Sequence, residues 1–127
     1  MTIDPISNLI NQIKTSERAG KSPVVVPYSK MRMAVIKVLE KEGFVSSSSK
    51  RGKKVKKYID IELNPDKKIG GVKRISKQSK RVYFTVNDIK LVKYGKGRLV
   101  ISTPKGIMTG EEARKAGVGG EALFEIW

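Results

Sequence analysis

Apolar positions near the start of the chain repeat with the spacing of an amphipathic helix. They follow Pro5, which suits a first helical position, and they are Ile6, Leu9, Ile10 and Ile13. A second helical face follows Ser29, a favourable N-cap residue, and consists of Met31, Val35, Val38 and Leu39. Between the two helices, Val24 to Val26 are β-branched and lie between prolines, which predicts a short edge strand.

Gly43 and Phe44 predict how the second helix ends. Gly43 fits the position just beyond the last turn, where glycine is favoured. Phe44 can then fold back onto Leu39, the apolar contact that accompanies a Schellman motif. Val45 is expected to begin a new strand.

A basic hairpin is predicted next. Six of the eight residues from Lys50 to Lys57 are lysine or arginine, a run that is typical of an exposed tip. The segment Tyr58 to Leu63 alternates apolar and acidic residues, as a half-buried strand does. The turn Asn64-Pro65-Asp66 follows and predicts a boundary between two lobes.

The second half of the chain reads mainly as strands. The predicted strands are Val72 to Ile75, Arg81 to Val86, Leu99 to Thr103 and Ala122 to Trp127, with Lys90 to Lys96 as a connector. One short helix is expected after Thr109, because Thr109-Gly-Glu-Glu112 matches the capping-box pattern, and Gly117 should end it. We therefore expect an α/β (α+β) protein of two small lobes. Residues 1–65 would form an N-terminal α-β-α-β-β lobe, and residues 66–127 a β-rich C-terminal lobe with one short helix.

Charge narrows the class of partner. The chain has 27 Lys and Arg residues against 12 Asp and Glu, a net charge of +15. A small domain needs a net charge of only about 2 to 8 for solubility, whereas a strong basic excess indicates contact with phosphate. No apolar run approaches the roughly 18 residues that span a bilayer, and the first residues lack a secretory signal pattern. We therefore expect a cytoplasmic protein that binds nucleic acid, not a membrane.

The composition argues against an enzyme. The chain has no cysteine and no histidine, which removes nearly all zinc sites and the common catalytic arrangements built on these residues. Ser102-Thr-Pro-Lys105 fits the bare Ser-x-x-Lys pattern of penicillin-binding enzymes, but the companion Lys-Thr-Gly is absent. A catalytic lysine in that pattern would also have to be buried. We expect no catalytic residue, cofactor, metal or small-molecule substrate.

The stretch from Ser102 to Gly106 is the sharpest candidate for binding. Ser102 and Thr103 carry small hydroxyls that can donate and accept hydrogen bonds, Lys105 adds a cation, and Gly106 permits close backbone approach. A rigid turn with short polar side chains suits the wide, shallow minor groove of structured RNA. Glu121 should lie near this turn if the predicted strand from Ala122 to Trp127 pairs with the one from Leu99 to Thr103. Its role at the binding surface and a role as a solvated strand end remain open.

Several motifs, in order along the whole chain, resemble the small-subunit ribosomal protein S8 family. The main one runs Gly97-Arg-Leu-Val-Ile-Ser-Thr-Pro-Lys-Gly-Ile-Met-Thr-Gly-Glu-Glu-Ala-Arg114 and continues to Glu121. Asp4-Pro5-Ile6, the run from Val26 to Met31, and Glu42-Gly43-Phe44 add to it. The likeness is weakest from Ser46 to Lys57.

The resemblance implies a two-lobed, non-enzymatic protein that binds the central domain of 16S rRNA early in assembly of the small ribosomal subunit. It implies that the second lobe grips an irregular RNA helix through its minor groove, and that protein S5 is a neighbour. By motif, the residues at that contact are Ser102, Thr103, Lys105, Gly106 and Glu121. Ser29 and Lys30 match a first-lobe region that touches nearby RNA.

Two further expectations concern the basic hairpin and, by comparison with the resembled family, Pro104. Lys53, Lys54 and Lys57 in the basic hairpin should contact phosphate and supply salt-sensitive affinity without sequence choice. Pro104 stands where the family usually has a second serine, so any contact through that hydroxyl is absent here. The competing class is a DNA-compacting protein that binds nucleic acid without sequence preference.

Overall fold

The computed structural model describes residues 5–20, 23–53, 56–89 and 97–127. The described chain forms two compact units, one of residues Pro5–Ile69 and one that contains Gly70–Trp127. Helices and antiparallel sheets occur in the described part of the chain, and the predicted α+β fold class is confirmed. No helix among these residues is long and apolar enough to cross a membrane.

The first unit combines two helices with a three-stranded antiparallel sheet. Its elements are α1 (Pro5–Arg18), β1 (Val24–Pro27), α2 (Lys30–Lys41), β2 (Val45–Lys53) and β3 (Lys56–Leu63). The strand order is β1-β3-β2, so β1 is an edge strand as predicted. Because β3 lies in the middle, its apolar residues Ile59 and Ile61 are fully buried, while the intervening Asp60 is only partly so.

The end of α2 follows the predicted Schellman pattern. The backbone N–H of Phe44 donates to the carbonyl of Leu39 at 2.9 Å, and that of Gly43 donates to Glu40 at 3.1 Å. The buried face of the helix differs by a small rotation from the expected one. Met31 is exposed, whereas Ile36 is fully buried, because the packing of the helix on the sheet selects the buried face.

The second unit contains a five-stranded antiparallel sheet and one short α-helix. Its elements are β4 (Val72–Arg74), β5 (Tyr83–Phe84), a 3-10 turn (Val86–Asp88), β6 (Arg98–Thr103), β7 (Gly106–Thr109), α3 (Gly110–Ala116) and β8 (Gly120–Ile126). β8 pairs with β4, β5 and β6, and β6 pairs with β7. The core lies between α3 and the sheet, where Leu99, Ile101, Ala113 and Ala122 are buried together.

Local signals position α3 as the sequence predicts. The N–H of Glu112 donates to the hydroxyl of Thr109 at 3.3 Å, and the carboxylate of Glu112 accepts from the N–H of Thr109 at 3.2 Å. Gly117 ends the helix with a φ of 69°. The strand β7, between the turn of residues 102–106 (the hydroxyl turn) and α3, was not predicted from the sequence.

Two predicted segments end differently in the structure. The strand expected from Arg81 to Val86 is limited to Tyr83–Phe84, because the carboxylate of Asp88 accepts from the N–H of Thr85 at 2.8 Å and stabilises the following 3-10 turn. The basic hairpin is paired as far as Lys53 and Lys56, so most of the expected tip is strand. The connector predicted at 90–96 lies outside the described residues.

Candidate nucleic-acid interface

The β6–β7 hairpin holds the hydroxyl turn in one conformation. Thr103 pairs with Gly106, and Pro104 and Lys105 form the exposed two-residue loop between them. The hydroxyl of Thr103 donates to the carbonyl of Gly106 at 2.8 Å and accepts from the N–H of Lys105 at 3.1 Å. Thr103 is therefore mostly buried, and its hydroxyl stabilises the turn.

Three consecutive residues of this turn are exposed, Pro104, Lys105 and Gly106, and the last two can bind a ligand. Lys105 is open to solvent, which excludes the buried base that an enzyme would need there. A Cβ atom at Gly106 would meet nothing within 4 Å, and the residue has a φ of 119° that disfavours other side chains. The turn thus offers a cation and an unobstructed backbone to a ligand.

A row of three polar side chains crosses the sheet next to this turn. Ser102 on β6 pairs with Glu121 on β8, and Glu121 pairs with Tyr83 on β5. Paired residues of antiparallel strands project to the same face of a sheet, so the three side chains are neighbours. Tyr83 is 67% exposed, which is unusual for a large aromatic residue. Glu121 was expected near the hydroxyl turn on the condition that the two strands pair, and the structure meets that condition.

The carboxylate of Glu121 is held by two donors on one oxygen. Oε2 accepts from the hydroxyl of Ser76 at 2.5 Å and from the guanidinium of Arg81 at 2.9 Å. Burial raises the pKa of this carboxyl, but the hydrogen bonds from Ser76 and Arg81 and the charges of Arg81 and Arg74 outweigh burial and hold the pKa below its ordinary value of 4.5. Glu121 is therefore a fixed, ionised acceptor at neutral pH.

Adjacent glycines allow the three strands to come this close. A Cβ at Gly119 would overlap the carbonyl of Phe84 on β5, and one at Gly120 would overlap the carbonyl of Ser102 on β6. The structure therefore shows a neighbouring strand on each side of this glycine pair. The pair therefore sets the spacing of the polar row.

The first unit brings together residues that the sequence treated separately. The N–H of Tyr28, just before Ser29 and Lys30, donates to the carbonyl of Lys57 at 2.9 Å. The ammonium of Lys50 lies 4.2 Å from the centre of the Tyr28 ring. The start of α2 and the basic hairpin therefore form one basic surface, defined here by Lys30, Lys50 and Lys57.

The predicted RNA-binding residues on this surface differ in their exposure and hydrogen bonding. The hydroxyl of Ser29 accepts from the N–H of Arg32 at 3.0 Å and so caps α2, whereas Lys30 is exposed. Lys57 is half-buried. Lys53 pairs with Lys56 at the end of the described hairpin, and Lys54 lies outside the described residues.

The sequence analysis missed three residues of this site: Tyr83 in the polar row, and Arg81 and Ser76, which hold the carboxylate of Glu121. Arg81 and Tyr83 are two positions apart, so in the predicted strand they lie on the same face. This spacing could have indicated a polar face. Ser76 gave no signal, because it reaches Glu121 across 45 residues of chain. Among the described residues, no group of acidic side chains could hold a metal ion.

Fold and surface together define a basic, two-unit α+β protein with an ordered polar row on its second sheet. Comparison with known proteins gives the family: the model of ribosomal protein S8 matches residues 4–127. The small ribosomal subunit protein uS8 of Mesoplasma florum is 41% identical over 130 residues and that of Thermus aquaticus 36% over 138 residues, each with 100% of both chains covered. The chain belongs to the ribosomal protein S8 family. As the sequence predicts, it is a ribosomal protein and not an enzyme.

Proposed function

We propose that this protein is a structural constituent of the small ribosomal subunit in the cytoplasm, where it binds the central domain of 16S rRNA and supports assembly. The observation that carries the proposal is the row Ser102, Glu121 and Tyr83 beside the exposed Lys105 turn, in a family of ribosomal proteins. Protein S5 is the proposed neighbour in the subunit, on the basis of the family resemblance.

The chemistry of the row favours structured RNA over a bare phosphate backbone. A carboxylate repels phosphate but accepts from base amino groups and from ribose 2′-hydroxyls. Ser102 can donate or accept at the same edge, and the exposed Tyr83 ring offers a surface for stacking or packing against a sugar. These groups suit the RNA minor groove, where bases and ribose hydroxyls are accessible together.

Lys105 and the first-unit surface supply the less specific part of the affinity. Lys105 at the turn can pair with phosphate beside the groove. Lys30, Lys50 and Lys57, with Lys53 and Lys54 of the same hairpin, would add phosphate contacts whose strength falls with salt. Thr103 and Ser29 act through the backbone, since their hydroxyls hold the turn and the helix start.

A competition experiment separates this function from DNA compaction. The protein is bound to a labelled central-domain fragment of 16S rRNA and challenged with unlabelled duplex DNA or an unrelated RNA helix of equal charge, at two salt concentrations. We expect the specific fragment to compete at least about a hundredfold better, and the protein to co-sediment with small subunits at high salt. Equal competition by duplex DNA would instead support a compacting protein.

A further inference from the structure

Ser76 is a polar side chain that is fully buried and wholly engaged. Its hydroxyl donates to Oε2 of Glu121 at 2.5 Å and accepts from the N–H of Val82 at 3.1 Å. Its own N–H donates to the carbonyl of Ala122 at 2.9 Å. With an exposure of 0%, Ser76 cannot touch a ligand itself. Any effect it has on binding must therefore be indirect, through the groups that its hydroxyl holds, which are the carboxylate of Glu121 and the backbone N–H of Val82.

The hydrogen-bond pattern leaves one oxygen of Glu121 for a ligand. Ser76 and Arg81 both donate to Oε2, and Oε1 has no donor among the residues that the structure describes. Two donors on one oxygen fix the rotation of the carboxylate. The Glu121 side chain is 15% exposed, so the opening for a ligand is small. A freely rotating carboxylate would present either oxygen, or neither, at such an opening.

We infer that Ser76 is a positioning residue that orients Glu121 so that Oε1 accepts a hydrogen bond from an RNA amino or ribose hydroxyl group. The inference rests on the proposed function of the polar row. Arg81 is half exposed, whereas Ser76 is 0% exposed and its hydroxyl both donates and accepts a hydrogen bond. Ser76 therefore holds the carboxylate in both the free and the bound protein.

The charged and titratable groups around Glu121 determine the pH response that this arrangement predicts. Arg81 precedes β5, Arg74 lies on β4, and Tyr83 pairs with Glu121 from β5. Burial raises the pKa of Glu121, and the donor on Ser76 is the largest influence that lowers it. Removing the hydroxyl of Ser76 raises the pKa of Glu121. As the pH is lowered, the variant therefore loses the RNA binding that needs the carboxylate at a higher pH than the wild type does.

The test compares Ser76→Ala, Ser76→Cys, Glu121→Gln and the double variant Ser76→Ala/Glu121→Gln. Cys fills the space of the serine with a somewhat larger sulfur atom and supplies only a weak donor, so it controls for the void that Ala leaves. Each full-length protein is titrated with the central-domain 16S rRNA fragment at one salt concentration. We expect each single variant to weaken binding about tenfold, and the double variant to match Glu121→Gln within about twofold.

A second readout does not depend on RNA. The pKa of Glu121 in the free protein is followed by NMR of the carboxyl carbon, and it should rise in both Ser76 variants. If Glu121→Gln binds like wild type, the proposed RNA contact fails and the inference falls with it. If Glu121→Gln weakens binding while the Ser76 variants do not, or if Ser76→Ala weakens it further in the Glu121→Gln background, Ser76 has no positioning role and the proposed function stands.

Discussion

A side chain at Gly120 would overlap the backbone carbonyl of Ser102 on the neighbouring strand. Because any larger residue at position 120 would clash with this carbonyl, β8 can lie this close to β6 only with glycine there. It also ties the spacing of the polar row to one residue that carries no functional group. Stability and binding should therefore fail together when the contact is disturbed.

Gly120→Ala should destabilise the protein by about 1 to 3 kcal/mol, because the added methyl forces two strands apart. Urea unfolding measures this change. Gly117→Ala is the matched control: it has open space but a φ of 69°, so its cost of about 1 to 2 kcal/mol reports backbone strain alone. A Gly120→Ala protein as stable as wild type would contradict the close strand contact.

Substitutions at Lys105 and at Thr103 should separate RNA binding from stability. Lys105→Ala removes an exposed cation, so we expect weaker binding to the rRNA fragment by about three- to thirtyfold and unchanged stability. Lys73→Ala on the edge strand β4, where the residue pairs with Glu125 at the far end of β8, removes the same charge as a control. Equal effects of the two variants would show that Lys105 contributes only net charge.

Thr103→Ala should instead act mainly on the fold. The hydroxyl of Thr103 makes two hydrogen bonds inside the hairpin, and losing them should cost about 1 to 3 kcal/mol of stability. Thermal unfolding and RNA binding measured on the same sample distinguish this from a direct contact. Loss of binding at full stability would place the hydroxyl on the RNA.

The basic hairpin should control the salt dependence of binding. Replacing Lys53, Lys54 and Lys57 by Gln should reduce the slope of log affinity against log salt by up to about one unit for each lost phosphate contact. A charge-matched variant at Lys37, Lys41 and Lys68 serves as the control. Identical slopes for both triple variants would show that the hairpin does not contact phosphate.

Glu121 should make stability depend on pH in the acid range. A carboxyl whose folded pKa lies below its ordinary value of 4.5 stabilises the fold above that value, and the stabilisation is lost as pH falls through the folded pKa. The stability difference between wild type and Glu121→Gln should therefore be largest near neutral pH and shrink as the pH falls below the ordinary carboxyl value of 4.5. Glu125→Gln on the same strand is the control, and a pH-independent difference for Glu121→Gln would refute the assignment.

Local sequence patterns predicted those parts of the fold that depend on neighbours in the chain. The capping box of Thr109 and Glu112 and the helix end at Phe44 each involve residues at most five positions apart, so their signals are complete within one segment. The buried face of α2 was predicted less accurately. Met31 fits the apolar stripe of α2 but is exposed, because the sheet that selects the buried face is formed by distant residues.

Long-range contacts account for what the sequence did not reveal at the site. The polar row assembles from three strands, and Ser76 meets Glu121 only after β4 and β8 have paired. Ser29 was predicted to cap α2, and its hydroxyl does so. Thr103 was predicted only as an RNA-binding residue, because the two hydrogen bonds of its hydroxyl depend on the β6–β7 pairing, which residue type alone does not specify.

The pairing of β8 with three other strands has a consequence for the order of folding. In the first unit, β2 and β3 are adjacent in the chain, and adjacent strands close their loop at low entropic cost. In the second unit, β4, β5 and β6 all pair with β8, which begins at Gly120, so none of these pairings can form before β8 has been synthesised. During synthesis the first unit can fold while the second is still an open chain, so the row of Ser102, Glu121 and Tyr83 can assemble only after β8 has been made.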